Sequence, residues 1–202
     1  MPKRPFAVAL TGGVGAGKSE ALRVFKSLGA ATLSSDEVVH ELLRSDEDVR
    51  ASLEDGFGPD ILTPAGEIDR IVLGKRVFGH PEDLNYLESV LHPRVIAEHQ
   101  RFIAEQAGAP NEPAICVIEV PLLYEACEQD RYDRVIVFTA PAELRRLRAG
   151  ARIDEREERM ISDADKVRRA DYVFLNDGTL EDLEEFVAEI WQQLLAEAGS
   201  VD

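Results

Sequence analysis

TGGVGAGKSE, residues 11–20, contains the pattern G-x-x-x-x-G-K-[ST] and decides the fold of this chain. The stretch follows the short apolar run FAVAL (6–10) and precedes a helical pattern, which is the context that a phosphate-binding loop requires. Its glycines let backbone N–H groups turn inward around phosphate oxygens, and the start of the helix adds partial positive charge. We therefore expect a nucleoside triphosphate to be bound by Gly13, Val14, Gly15, Ala16, Gly17, Lys18, Ser19 and Glu20.

The lysine and the serine that end the pattern have separate predicted roles. Lys18 is expected to reach the β- and γ-phosphates of ATP and to act in catalysis, whereas Ser19 is expected to ligate Mg²⁺. No N-K-x-D sequence follows a later strand, so a guanine-specific GTPase is not indicated. A chain of 202 residues is also too short for a motor protein or an AAA-type ATPase, which leaves a small kinase as the best class.

Short apolar runs of strand length recur along the chain. They are continuous rather than alternating, as expected for strands that are buried on both faces of a parallel sheet. The predicted strands are residues 6–10, 30–33, 114–120, 134–138 and 172–175. Helical patterns separate them, so the sequence predicts an α/β fold in which helices flank a mostly parallel sheet.

Capping and breaking signals place the ends of several predicted helices. The first helix is expected over residues 19–28, with Gly29 as its stop. Pro93 lies in a longer helical pattern and is expected to break or kink it. The last helix is expected to open at Thr179 with a capping box and to bury Trp191 in the core.

Composition restricts the partners and the compartment. The net charge of −16 weighs against nucleic acid and anionic membranes as partners, because either needs an excess of Lys and Arg on some face. Cys116 and Cys127 cannot form a disulfide framework and have no metal-ligand spacing, and this usage fits a reducing cytoplasm. The apolar run near the N-terminus is too short for a signal peptide or a membrane span. We expect a soluble, cytoplasmic protein.

Two carboxylates beside predicted strands are candidates for the chemistry. Asp36 lies just beyond the second strand, on the sheet edge where open α/β sheets bind ligands. Its carboxylate can take the proton of an acceptor hydroxyl, can cap the helical run that follows, or can do both. Glu119 ends the third strand and either holds Mg²⁺ through water or has a capping or structural role. His40 and His92 show no metal-ligand spacing, which favours packing or hydrogen bonding, although His40 lies one turn from Asp36.

An arginine-rich segment supplies positive charge within this acidic chain. Between Ala142 and Tyr172 the basic residues slightly outnumber the acidic ones. Such a segment can close over ATP as a lid that stabilises the transferring phosphoryl group and excludes water. It can equally be a solvated helix with i,i+4 ion pairs, a pattern visible in IDEREERM (153–160). We expect a mixture, in which about one to three arginines contact phosphate.

Motifs spread over nearly the whole chain carry a family resemblance. They are VALTGGVGAGKS, SSDEVVHELL, FGPDILTPAGEIDR, VFGHPEDLNYLESVLHPRV, EVPLLYE and KVRRADYVFLNDG. A phosphate loop alone is unspecific, whereas LHPRV followed by EVPLLYE at this distance is far more selective. With these motifs the chain resembles the dephospho-CoA kinase family. The resemblance implies a P-loop kinase fold that phosphorylates the ribose 3′-hydroxyl of dephospho-CoA with ATP, giving coenzyme A and ADP.

The resemblance also implies roles for particular residues and regions. By matching position, Asp36 corresponds to the catalytic aspartate, and Asn176 falls in the segment that surrounds adenine. Further side chains are implied to contact ATP or the acceptor, namely Arg146 for ATP and His40, His92 and Leu122 for dephospho-CoA. Arg148 and Arg152 are alternatives to Arg146 for the lid arginine that contacts phosphate. The chain is expected to be a single kinase domain over residues 1–202, with a helical CoA-binding region at about 62–110 and a lid at about 145–165.

This chain departs from the family's pattern at several positions. Ser34-Ser35-Asp36 stands where the family commonly reads D-A-D, so the first carboxylate is missing. Glu20 replaces the usual threonine and puts an acid near the bound phosphates. In the lid, an arginine commonly followed four residues later by glutamine appears here as Arg156 and Met160.

Two rival functions fit the same motifs. One is another small-molecule or nucleotide kinase of the same architecture, and the other is a sensor that binds nucleotide and CoA-like ligands without turnover. The presence of Lys18, Ser19 and Asp36 favours an enzyme over a sensor.

Overall fold

The computed structural model of the chain describes residues 4–107, 115–149 and 160–200. Its sheet has five parallel strands in the order β2-β3-β1-β4-β5. The strands are β1 (Phe6–Gly12), β2 (Ala31–Ser34), β3 (Ile115–Glu119), β4 (Arg134–Thr139) and β5 (Tyr172–Leu175). Each of them overlaps a predicted strand, which confirms the α/β class and the parallel sheet.

Helices connect the strands and follow the last one. The described helices are α1 (Lys18–Ser27), α2 (Ser35–Ser45), α3 (Glu47–Phe57), α4 (Arg70–Val77), α5 (Pro81–Glu105), α6 (Ala142–Ala149), α7 (Asp163–Arg169) and α8 (Leu180–Ser200). Short 3₁₀ turns lie at Pro59–Ile61 and Gln129–Arg131. In the described part of the chain, no helix combines the length and the apolar character that crossing a membrane requires.

The sheet is buried on both faces, which explains its continuous apolar strands. On one face the strands pack against α1 and α8, where Phe25 and Trp191 meet edge to face with ring centroids 6.5 Å apart. On the other face, Ile118 and Val137 pack with Tyr124 and with Phe102 near the end of α5. Hydrophobic burial on both faces holds the strands in place, and the phosphate loop follows the carboxyl end of β1.

Several predictions about the helices are tested directly. Thr179 and Asp182 exchange the two side-chain-to-backbone hydrogen bonds of a capping box, and Trp191 is buried, as the sequence predicts. Of the two effects expected of Pro93, a break of the helix is wrong, because α5 continues through Pro93 to Glu105, and a kink stays a prediction. A proline removes one backbone donor, and the burial of neighbouring apolar residues such as Val90 and Leu91 supports the helix across that gap.

The chain divides into two compact units. One contains the described residues of Met1–Ser34 and Phe102–Asp202, and the other is Ser35–Arg101. The second unit has its own buried side chains, among them Leu53 and Ile61, and its Tyr86 hydroxyl donates to the Ser52 carbonyl at 2.6 Å. It begins on the N-terminal side of the predicted CoA-binding region, whose extent of about 62–110 stays a prediction.

Candidate active site

The loop between β1 and α1 has the backbone of a phosphate cradle. Gly12, Gly15 and Gly17 have φ values of 137°, 74° and 101°, which side chains other than glycine rarely adopt. Gly17 is also crowded, since a Cβ atom there would lie 2.2 Å from the Asn176 amide nitrogen. The loop therefore requires glycine both for its turn and for the close approach of the segment after β5.

Lys18 lies inside this loop rather than in solvent. Its side chain is 7% exposed, and Nζ donates hydrogen bonds to the Gly12 carbonyl at 3.0 Å and the Gly13 carbonyl at 2.9 Å. The two carbonyls hold the ammonium group beside the loop N–H groups. This is the local attraction that an anion needs in a chain of net charge −16.

Ser19 and Glu119 meet at the carboxyl edge of the sheet. The Ser19 hydroxyl lies 3.4 Å from both carboxylate oxygens of Glu119, and Glu119 is 5% exposed. A hydroxyl and a carboxylate are the oxygen donors that Mg²⁺ takes from proteins, with the remaining positions filled by water and phosphate. The residues present therefore fit Mg²⁺. Glu119 is next to the predicted Mg²⁺ ligand, because its carboxylate contacts the Ser19 hydroxyl.

Glu20, the acid that follows Ser19, has a partner on its own helix. Its carboxylate forms an ion pair with Arg23, one turn further along α1. The pair neutralises the acid that stands where the family has threonine, so its repulsion of phosphate is reduced.

Arg145 on α6 packs against the phosphate loop. Its side chain is almost fully buried, and Nε donates to the Ala140 carbonyl at 3.0 Å. A Cβ atom built on Gly13 would lie 2.6 Å from Arg145 Nη1, which shows how closely the guanidinium covers the loop. Arg146, which the sequence predicted to contact ATP, is exposed on the same helix. The role of Arg146 stays a prediction, and Arg145 is the arginine that the sequence did not single out.

Asn176 joins the loop to the segment after β5. It is 6% exposed, and its amide nitrogen donates to the Ala16 carbonyl at 2.9 Å. The backbone carbonyl and the side-chain oxygen of Asn176 each accept a hydrogen bond from Arg148 at 3.3 Å. The predicted adenine-side residue is thus in contact with the loop and with a second arginine of α6.

Glu125 and Lys166 form a buried ion pair near the C-terminal end of the predicted lid. Lys166 on α7 is fully buried, and its Nζ lies 3.0 Å from Glu125 Oε1, which also accepts the Ile161 N–H at 3.0 Å. Asp163 is the first residue of α7, and its Oδ2 lies 3.7 Å from Arg145 Nη2. Residues 161–166 are therefore held against the turn after β3 through Glu125, and Asp163 lies close to Arg145, which packs against the phosphate loop.

Part of the predicted lid lies outside the described residues. This holds for 150–159, which include Arg152 and Arg156, and for 108–110 at the end of the predicted CoA-binding region. Met160, by contrast, is described and is partly buried. The lid assignment stays a prediction.

The predicted acceptor residues near Asp36 lie in the unit Ser35–Arg101. Asp36 is exposed in the first turn of α2, and His40 is exposed one turn later on the same face. Arg70, at the start of α4, donates a hydrogen bond to His40 Nδ1. The helix-capping alternative for Asp36 is wrong, because α2 begins at Ser35 and Asp36 is its second residue.

The other two predicted acceptor residues are partly buried. His92 lies on α5 in the same unit as Asp36, and Leu122 lies in the turn after β3, beside the buried Leu123 and Tyr124. Burial, with the charge of Asp171, raises the pKa of Tyr124 to about 12, so its hydroxyl stays protonated. The two residues that follow Leu122 are therefore a buried leucine and a buried, uncharged tyrosine.

Comparisons with known proteins show which family the chain is similar to. The sequence profile of the family described as dephospho-CoA kinase matches residues 6–182. A dephospho-CoA kinase of Protochlamydia amoebophila is 39% identical over 93% of this chain and 95% of its own.

Solved structures share the fold. One from Thermus thermophilus is 31% identical, with a TM-score of 0.75 over 95% of this chain and 99% of its own. A dephospho-CoA kinase from Campylobacter jejuni superimposes with a TM-score of 0.66 over 96% of this chain and all of its own, at 24% identity. With a family match over most of its length, a relative of this identity and the phosphate loop in place, the chain belongs to the dephospho-CoA kinase family.

Proposed function

We propose that this chain transfers the γ-phosphoryl group of ATP to the ribose 3′-hydroxyl of dephospho-CoA, giving coenzyme A and ADP. The observation that carries the proposal is the loop in which Lys18 is held against Gly12 and Gly13, in a chain of this family. In the reaction a bond forms between the ribose 3′-oxygen and the γ-phosphorus, and the bond from that phosphorus to the β–γ bridging oxygen breaks. The hydroxyl proton leaves to a base.

On the donor side, residues 13–20 bind the phosphates of ATP. When ATP enters, Lys18 Nζ exchanges the carbonyls of Gly12 and Gly13 for phosphate oxygens, which keeps its charge paired throughout. Arg145 adds a second cation beside the loop, and Arg146 adds a third when it turns inward. Asn176 positions the adenine side of the loop through its bond to the Ala16 carbonyl.

Mg²⁺ is the cation that we assign to the donor side. Ser19 would hold it directly, and Glu119 would hold it through water. Bound there, Mg²⁺ neutralises charge that develops on the β- and γ-phosphates. The burial of Glu119 keeps its carboxylate in place for this contact.

On the acceptor side, Asp36 is the proposed base. Its carboxylate stands exposed in the first turn of a helix, where it can approach a bound hydroxyl and accept its proton. His40 lies on the same face, and Arg70 beside it brings positive charge for the anionic acceptor. His92 and Leu122 are the remaining proposed acceptor contacts, and the helices within about 62–110 form the CoA-binding region.

The proposal extends to the setting of the reaction. Both substrates are small molecules, and the acidic surface argues against nucleic acid and anionic membrane as partners. Cys116 is buried and Cys127 is an exposed free thiol, which fits a reducing cytoplasm. Residues 145–165 act as a lid over ATP, and residues 1–202 act as a single kinase.

An acceptor panel tests the proposed activity. We expect coupled ADP release with dephospho-CoA and none above background with adenosine or AMP. A dephospho-CoA analogue that lacks the 3′-hydroxyl provides the matched control, since it offers the same contacts but no nucleophile. ADP release that is equally fast with the 3′-deoxy analogue, or faster with a nucleoside or nucleotide, would overturn the proposed acceptor.

A further inference from the structure

A buried hydrogen bond within the unit Ser35–Arg101 joins the start of α2 to α5. The Ser35 hydroxyl and Nε2 of His99 lie 3.0 Å apart. Ser35 is 7% exposed and His99 is 3% exposed, so water has little access to this contact. Each group would be costly to bury without a partner, and the bond therefore ties the first turn of α2 to α5.

Asp36 follows Ser35 directly, but its side chain is exposed, whereas that of Ser35 is buried. Across residues 4–107, 115–149 and 160–200, the Asp36 carboxylate takes part in no hydrogen bond or ion pair. Its direction is therefore set by the backbone of the first turn of α2. The contact between Ser35 and His99 is one of the interactions that hold this backbone.

The far end of α2 is also held by α5. Asp46 follows α2 and accepts the Val49 N–H as the cap of α3, and its other carboxylate oxygen lies 3.7 Å from Arg94 Nε. Helix α5 thus contacts the chain at both ends of α2, through His99 and Arg94. Contacts at both ends of α2 hold its backbone, and with it the direction of the Cα–Cβ bond of Asp36.

We propose that His99, acting through Ser35, is a positioning residue that aims the Asp36 carboxylate at the acceptor hydroxyl. The inference rests on the proposed function, in which Asp36 is the base. A base must lie within hydrogen-bonding reach of the proton that it takes, so a small rotation of the first turn lowers the rate. It leaves ATP binding unchanged, because the residues that bind ATP are on another part of the chain.

A double-mutant cycle with Asp36→Asn separates positioning from general stability. Ser35→Ala and His99→Leu are each measured alone and combined with Asp36→Asn, with kcat, the KM for ATP and the melting temperature recorded. We expect each single variant to lower kcat about fivefold to tenfold, as for one lost hydrogen bond of ordinary strength. The KM for ATP should stay within about twofold, and neither change should slow Asp36→Asn further.

Two further variants show whether the bond itself matters. His99→Gln places an amide where Nε2 lies and should restore most of the kcat that His99→Leu loses. It also serves where His99→Leu fails to fold. Ser45→Ala removes a hydroxyl from the exposed end of the same helix, where Ser45 donates to the Glu41 carbonyl, and should leave kcat at the parent value.

The outcomes distinguish this inference from the proposed function. If Asp36→Asn is slow but Ser35→Ala and His99→Leu turn over at the parent rate, the positioning role is overturned and Asp36 stands. It is also overturned if they slow Asp36→Asn as much as they slow the parent chain. If Asp36→Asn itself keeps the parent rate, both the base assignment and the positioning role are wrong.

Discussion

The phosphate loop and the first turn of α2 differ in how their charged side chains are held. In the loop, Lys18 is buried and bonded to two backbone carbonyls, and Arg145 is buried against Gly13. In α2, Asp36 and His40 are exposed. The proposed donor side is therefore preorganised in the protein alone, whereas the proposed acceptor side depends on the helices that carry it.

This difference separates the roles that mutations should reveal. A preorganised group contributes to ATP binding and to the rate together, since its contacts exist before the substrate arrives. An exposed base contributes to the rate alone, because it gains its partner when the hydroxyl is in place.

Asp36→Asn should have the largest effect and should act on the rate alone. We expect kcat to fall by roughly 10²–10⁴, the span general for a positioned acid or base, with the KM for ATP nearly unchanged. The melting temperature should change little, since asparagine loses only the favourable charge in the first turn of the helix, worth about 0.3–1 kcal/mol. Steady-state kinetics and thermal melting measure both.

The neighbouring acid provides the control for that variant. Glu37 is exposed in the same turn of α2, and Glu37→Gln should keep the parent kcat. Equal losses for Asp36→Asn and Glu37→Gln would mean that the turn needs negative charge in general and not a base at residue 36.

Lys18→Met should lower both ATP affinity and the rate. The change removes the charge inside the loop but keeps most of the aliphatic side chain, so the fold should survive. We expect kcat to fall by about 10²–10³, the usual cost of losing one group that stabilises developing charge. ATP titration by calorimetry, together with kinetics, measures the two losses separately.

Lys26→Met is the matched change for Lys18→Met. Lys26 is exposed in the last turn of the same helix, and its substitution should leave ATP binding and kcat at the parent values. A folded Lys18→Met protein with near-normal turnover would refute the assignment of the loop.

Arg145→Met and Arg146→Met compare two adjacent arginines of α6. We expect the larger loss in Arg145→Met, about tenfold in kcat/KM for ATP, because Arg145 already covers the loop while Arg146 is exposed. The same variant should also melt at a lower temperature, since it leaves the Ala140 carbonyl without its donor. A larger loss in Arg146→Met would show that the exposed arginine turns in to contact phosphate.

Glu119→Gln should have the smallest effect of the set. With Ser19 and the phosphates still present, we expect the Mg²⁺ concentration for half-maximal activity to rise about threefold to tenfold while saturated kcat changes less. Activity measured across a Mg²⁺ titration at fixed ATP tests this. An unchanged Mg²⁺ dependence would leave Glu119 as a structural partner of Ser19.

The parts of the fold that could be predicted are those that local sequence determines. Continuous apolar runs predicted every strand of the sheet, and the spacing of glycines before Lys18 predicted the loop. Thr179 and Asp182 predicted the start of a helix, because the hydrogen bonds of a capping box join residues only one turn apart in sequence.

The parts that could not be predicted depend on which face of a helix a residue occupies and on contacts between residues that are distant in sequence. Adjacent helical residues point about 100° apart, so a run of arginines does not reveal that Arg145 faces the loop. The partners Ser35 and His99 are 64 residues apart in sequence, and neither residue belongs to a motif that pairs them. Asp36 was misjudged as a possible cap because α2 starts directly at the end of β2, two residues earlier than the apolar pattern indicates.

The most direct test of the account is the identity of the reaction product. Purified protein is incubated with ATP, Mg²⁺ and dephospho-CoA, and the product is analysed by mass spectrometry and ³¹P NMR. The account predicts one ADP released for each acceptor phosphorylated, with the new phosphate on the ribose 3′-oxygen and no product from Asp36→Asn on the same time scale. ADP release without a phosphorylated acceptor, or a phosphate on any other atom, would contradict it.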